Sequence, residues 1–221
     1  MQEKYAYESV TEYDIDKPKR YDMNFGGAKE LVLSGYEGEK LRIRLATDTL
    51  STVQSDFKVK IDAVRSGIDI EVNRKNGVSE TAAKESVVIF VQLPLKYIKK
   101  AELAVNAETV RVSSLECDSI ELNIKTKNVV VENVTGSVEI DCDLDMNVDC
   151  LSLKGELSLN QVSATSKIRV PGDFAFTAVA KGIGTAIYFE RDGKAAEPFD
   201  RAEAENVIEL NGMKSELTIC T

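Results

Sequence analysis

Residues 131–142 read VENVTGSVEIDC, and residues 150–159 read CLSLKGELSL. Laid one above the other at a step of 19, they match position by position: Val131 over Cys150, Val134 over Leu153, Gly136 over Gly155, Val138 over Leu157, Ile140 over Leu159. Within each stretch apolar and polar residues alternate, the period of a strand with one buried face. The same phase extends outward. Val110, Val129 and Val148 stand 19 apart, with Ile168 and Ile187 following at 20 and 19. Two residues on run Val112, Val131, Cys150, Val170 and Phe189. Further columns are Leu115–Val134–Leu153, Ile120–Val138–Leu157–Phe176 and Leu122–Ile140–Leu159–Ala178.

A repeat of two or three short strands cannot bury its inward side chains alone. Stacking the next repeat about 4.8 Å above it pairs the backbone and buries a continuous apolar ladder. The sequence therefore predicts an all-β, single-stranded, right-handed β-solenoid (β-helix-like) with coils of about 19 residues and capping strands. Gly136 and Gly155 mark corners that need positive φ or close backbone approach. An antiparallel sandwich with hairpins every ~9–10 residues would explain the alternation but gives no reason to keep register at 19.

The ends depart from the period, as caps must, because bare terminal coils would expose strand edges and core. Residues 1–30, with Tyr5, Tyr7, Tyr13 and Tyr21, read as an N-terminal cap or first coil, and 31–190 as coils. Residues 191–206 are charged, contain Pro198 and read as a loop. Residues 205–221 read as a closing hairpin turning at Asn211-Gly212. Ser79–Ser86 is the best helical stretch, with Ser79 as its N-cap. No composition shift divides the chain, so 1–221 reads as one domain.

The chain has 28 basic and 37 acidic residues, a net charge of −9. That sign repels phosphate backbones and anionic lipid and argues against nucleic acid as a partner. No run approaches ~18 apolar residues, so no membrane insertion is expected. With no apolar leader segment, a cytoplasmic setting is expected, or the cell surface if a leader has been removed. There is no histidine and no tryptophan, which removes the commonest neutral-pH proton shuttle and the best sugar-stacking ring.

Asp141, Asp143, Asp145, Asn147 and Asp149 alternate with Cys142, Leu144, Met146 and Val148. Oxygen ligands at every second position suit a hard cation, but Met146 stands where a calcium loop needs glycine, and Ser152 where it needs glutamate. The alternation itself is that of a solvated acidic face. The same aspartates are the one acid/base cluster a carbohydrate-active β-helix enzyme could use. Cys117, Cys142, Cys150 and Cys220 are spaced 25, 8 and 70 and fit no zinc pattern. By alternation the first three point inward and Cys220 outward. No cofactor or metal is expected.

Three stretches carry a resemblance: VVIFVQLP (87–94), the paired coil cores above, and IELNGMKSELTI (208–219). Together they resemble the bacterial "putative adhesin" domain family (the DUF4097/DUF4098 group). The resemblance implies a non-enzymatic, adhesin-like binding or scaffolding solenoid facing a protein or glycan, with no catalytic residues to carry over. The alternative from the residues is the carbohydrate-active enzyme using the Asp141–Asp149 face.

Overall fold

The structure, a computed structural model, describes residues 4–65, 67–75 and 77–221. The first three residues of the expected cap lie outside those described. In chain order the first half holds β1 (Tyr7–Asp14), β2 (Lys19–Tyr36), β3 (Lys40–Thr47), α1 (Val53–Asp56), β4 (Phe57–Ala63), β5 (Gly67–Arg74), α2 (Glu80–Ser86) and β6 (Val88–Pro94). The long bent β7 (Ile98–Ile124) and β8 (Asn128–Asp141) follow. Then come β9 (Asn147–Cys150), β10 (Leu153–Val162), β11 (Thr165–Arg169), β12 (Phe176–Ile183), β13 (Ala186–Arg191), β14 (Lys194–Ala195), β15 (Asn206–Met213) and β16 (Glu216–Cys220). The expected helix is α2. It begins at Ser79, whose hydroxyl accepts from Ala82 N at 3.0 Å.

The strands form a right-handed β-solenoid. One long sheet runs β1-β3-β6-β2-β7-β8-β9-β11-β16-β13-β14. Two side ladders complete the coils: β4-β5-β2 at the N-terminal end, and β8-β10-β15-β12 beyond β7. Pairing is parallel through the body, because each coil is a translated copy of its neighbour. It becomes antiparallel at the ends, in β1–β3, β3–β6, β4–β5 and β13–β14.

The 19-residue columns are physical from β7 to β10. Leu122 pairs with Ile140 and Ile140 with Leu159, and all three are fully buried. Val110–Val129–Val148–Ile168 is likewise continuous. Polar side chains at the corners satisfy turning backbone: Thr126 Oγ1 donates to Glu108 O at 2.9 Å and Ser215 Oγ to Gln161 O at 3.1 Å.

Beyond that point the columns are corrected. β15 and β16 do not close the end as a hairpin; they wedge between coils, β15 between β10 and β12 and β16 between β11 and β13. Leu157 therefore lies beside Ile208 and Ile208 beside Ala178, rather than Leu157 against Phe176. Ile168 meets Ile219, which meets Phe189, rather than Ile168 meeting Ile187. Asn211-Gly212 is no turn either, since β15 runs straight through it. Gly212 answers a close approach: a Cβ there would collide with the carbonyl oxygen of Gln161.

The final coil is plugged by the charged loop. Phe199 sits 5.1 Å from Phe189 and 6.0 Å from Phe176, edge-on to both, with Arg191 over its ring at 5.2 Å. Arg201 N donates to Phe176 O at 2.7 Å, tying the loop to the first half of β12.

Gly136 supplies a direct check on the stacking. Its φ is +128°, and a Cβ there would strike the carbonyl oxygen of Cys117 on the preceding coil. Gly136→Ala is expected to cost about 3 kcal/mol, from backbone strain plus a forced shift between rungs. Gly172→Ala, whose Cβ meets nothing within 4 Å, should stay within about 0.5 kcal/mol. Urea unfolding of both variants measures the contrast.

Candidate functional site

The solvent face of the long sheet at its N-terminal end forms a groove of about 770 Å³ across β1, β3, β6, β2 and β7. Alternation turns Glu12, Arg42, Arg44, Phe90, Glu30 and Arg111 outward there, while Ile43, Leu45, Ile89 and Leu31 fill the core beneath. Each arginine is matched to a glutamate on a neighbouring strand: Arg42 Nε to Glu12 at 2.9 Å, Arg44 Nη1 to Glu8 at 3.1 Å, Arg111 Nε to Glu30 at 3.6 Å. The Arg44 guanidinium also lies 4.0 Å over the Phe90 ring, and Arg42 lies 5.1 Å over Tyr36. These charges are internally balanced, so the groove offers directional hydrogen bonds rather than net attraction. Of the N-terminal tyrosines, Tyr21 is wholly buried and Tyr5 packs edge-on to Phe90 at 6.0 Å.

The aspartates singled out from the sequence are spread over two faces and the corner between them. Asp141 ends β8 on the side ladder and accepts from Asn160 Nδ2 at 2.7 Å. Asp143 and Asp145 lie on the exposed corner, where Asp145 Oδ1 accepts from Thr165 N at 2.7 Å. Asp149, on β9 in the long sheet, pairs with Arg169 at 3.0 Å. Asp141, Asp145 and Asp149 thus each brace the next coil. Among the described residues no group of three or more Cys, Asp or Glu side chains is placed to hold a metal ion.

Sequence reading missed the outer face of the side ladder. There Asp141, Asn160 and Asn211 form one row across β8, β10 and β15, continuing Asn123 of β7. Glu139, Ser158 and Glu209 form the next row, continuing Glu121. The signal was present for three rungs, since Asn123, Asp141 and Asn160 keep the coil spacing. Asn211 and Glu209 join only through the wedge.

All four cysteines are free thiols. Cys142 and Cys150 are in the core, and Cys117 is half-buried against it. Cys220 lies off the core cluster as alternation requires, yet it is only 6% exposed beneath neighbouring side chains. Burial, reinforced by Asp118, pushes the Cys117 thiol up to about 11, and burial alone pushes Cys150 to about 12. Burial also raises Cys220 and the phenol of Tyr21. Thiolate is the nucleophile, so native Cys117 and Cys150 should resist alkylation at pH 8, and unfolding should expose four reactive thiols. The folded thiols keep protons that unfolded ones lose near pH 9. Their contribution to stability is therefore complete below about pH 9 and falls as pH rises through 11–12. Urea unfolding from pH 8 to 11 should show this decline, and Cys150→Ala should flatten it.

No family model and no curated protein matches the chain. Solved structures do. A "putative cell adhesion protein" from Clostridium sporogenes is 13% identical at a TM-score of 0.45, covering 97% of this chain and 99% of its own. A "putative adhesin" from Bacteroides fragilis is 10% identical at 0.38, covering 97% of both. A "putative lipid binding protein" from Parabacteroides distasonis is 12% identical at 0.32, covering 97% of both. Two of these three are named for adhesion, and none of the likenesses singles out the DUF4097/DUF4098 group. The cytoplasmic setting expected from the sequence is overturned by the matches to proteins named for adhesion, and does not stand. No helix among the described residues is long and apolar enough to cross a membrane.

Proposed function

We propose that this chain is a non-catalytic, adhesin-like binding or scaffolding protein that works at the cell surface as one domain, and that it is a remote relative of the DUF4097/DUF4098 group. The observation that supports this is the eleven-strand ladder. It carries outward side chains in rows at rung spacing along one uninterrupted face, a surface suited to an extended protein or glycan.

The test is binding of the intact chain to a panel of neutral and acidic glycans and extracellular-matrix proteins. A ligand lost on Arg42→Gln or Arg111→Gln would place it in the N-terminal groove. Turnover of any polysaccharide that disappears in Asp141→Asn would overturn the non-catalytic reading.

A further inference from the structure

Charge is distributed unevenly along the solenoid. Residues 1–113 carry 18 basic and 18 acidic side chains, and residues 114–221 carry 10 and 19, so the whole net charge of −9 lies in the second half. On the N-terminal face each arginine has its glutamate. On the side ladder Glu121, Glu139, Asp141 and Glu156 are met by amides and hydroxyls instead. Asn123 donates to Glu121 at 3.2 Å, Asn160 to Glu139 and Asp141 at 2.5 and 2.7 Å, and Ser158 to Glu156 at 2.7 Å. Among the described residues none of Glu121, Glu139, Asp141 or Glu156 has a cation within 4 Å. Glu209 has one, Lys181 at 2.6 Å. Among the described residues Asp143, at the corner, has no ion pair either.

Beside the row Asp141–Asn160–Asn211–Lys181 runs an apolar row on the same outer face. Val162, Met213 and Ile183 are register partners on β10, β15 and β12 and are 47%, 47% and 78% exposed. Leu144, 41% exposed, lines the same groove from the corner, with Lys125 at its rim. Gln161, 2% exposed, also lines it. Its Nε2 donates to the carbonyls of Cys142 and Leu144 and to Ser166 Oγ, while its Oε1 has no donor among the described residues. Carboxylates met by amides rather than cations, beside an exposed apolar row, are complementary to a chain that brings cations and apolar side chains together.

We propose that this face docks an extended basic segment of another polypeptide, with its Lys or Arg side chains on Glu139, Asp141 and Asp143 and its apolar side chains on Val162, Met213 and Ile183. The proposal rests on the binding role above and names the partner's chemistry.

Fluorescence polarisation of the intact chain with a short labelled peptide of alternating lysine and leucine tests it. Binding is expected at low salt and should weaken as salt screens the pairs. The Glu139→Gln/Asp141→Asn/Asp143→Asn variant should lose about tenfold in affinity, and so should Val162→Ser/Met213→Ser/Ile183→Ser. Arg42→Gln/Arg111→Gln should bind as before. All these side chains are on the surface, and an unchanged melting temperature confirms folding. No binding at low salt overturns the proposal. So does binding indifferent to either triple variant, or equal binding of a glutamate–leucine peptide or a neutral oligosaccharide. If the peptide fails while the ligand panel still finds a partner on the N-terminal groove, this inference falls and the binding role stands. If both fail, both fall.

Discussion

Deleting residues 206–221 is expected to unfold the C-terminal coils rather than trim the end of the molecule. The deletion removes Ile208, Leu210, Leu217 and Ile219, all fully buried between coils that are not otherwise paired there. At about 1.5–3 kcal/mol for each buried side chain, the loss is roughly 6–12 kcal/mol, comparable with the whole stability of an ordinary domain. Coils interact mainly with their neighbours, so the loss should be local. Limited proteolysis should cut rapidly within 163–205 while 98–141 stays protected. Retained protection of 176–191 would mean that β12 and β13 had closed up onto β10 and β11 at the 19-residue register, and the wedge would then be dispensable. Leu210→Asp gives the same test in the full-length chain, by placing an unpaired carboxylate between Leu159 and Ala180.

Ile140 is the second position of large expected effect. It is fully buried between Leu122 and Leu159, so Ile140→Ala should cost about 2–5 kcal/mol through lost burial and a residual cavity. Ile140→Asp should be worse. Glu139, one residue away, is exposed, and Glu139→Ala should stay within about 0.5 kcal/mol. Stacking order adds a sharper expectation. Double-mutant cycles in urea should show coupling for Leu122–Ile140 and for Ile140–Leu159, and little for Leu122–Leu159, which are separated by a rung. Equal tolerance at 139 and 140 would contradict the alternation. Coupling between 122 and 159 that bypasses 140 would contradict the stacking.

The candidate surfaces were only half legible before folding. An inward column shows itself in sequence because burial restricts it to apolar residues. An outward row such as Asn123–Asp141–Asn160 is written in residues that any solvated face could carry. Its meaning emerges from what stands beside it, and Glu209, Asn211 and Met213 stand there only through long-range pairing. The burial of Cys220 has the same origin: alternation aims it outward, and side chains of the neighbouring coils then cover it.

From residue 110 to residue 159 the sequence by itself determined the architecture: strand period, coil length, which residues form each ladder, and where glycine must bend the chain. It could do so because each of those coils stacks on the next one along the chain, so every contact recurs at one short interval. Two features were decided only in three dimensions. At the N-terminal end β2 takes β5 and β6 on one side and β7 on the other, after an excursion through β3, α1 and β4 that breaks the period. At the C-terminal end β15 enters between β10 and β12, pairing Leu157 with Ile208 across 51 residues. A parallel strand edge offers the same backbone donors and acceptors to any alternating segment that reaches it. Periodicity records stacking on the next segment of chain, and it carries no mark of a later strand that fits between two coils.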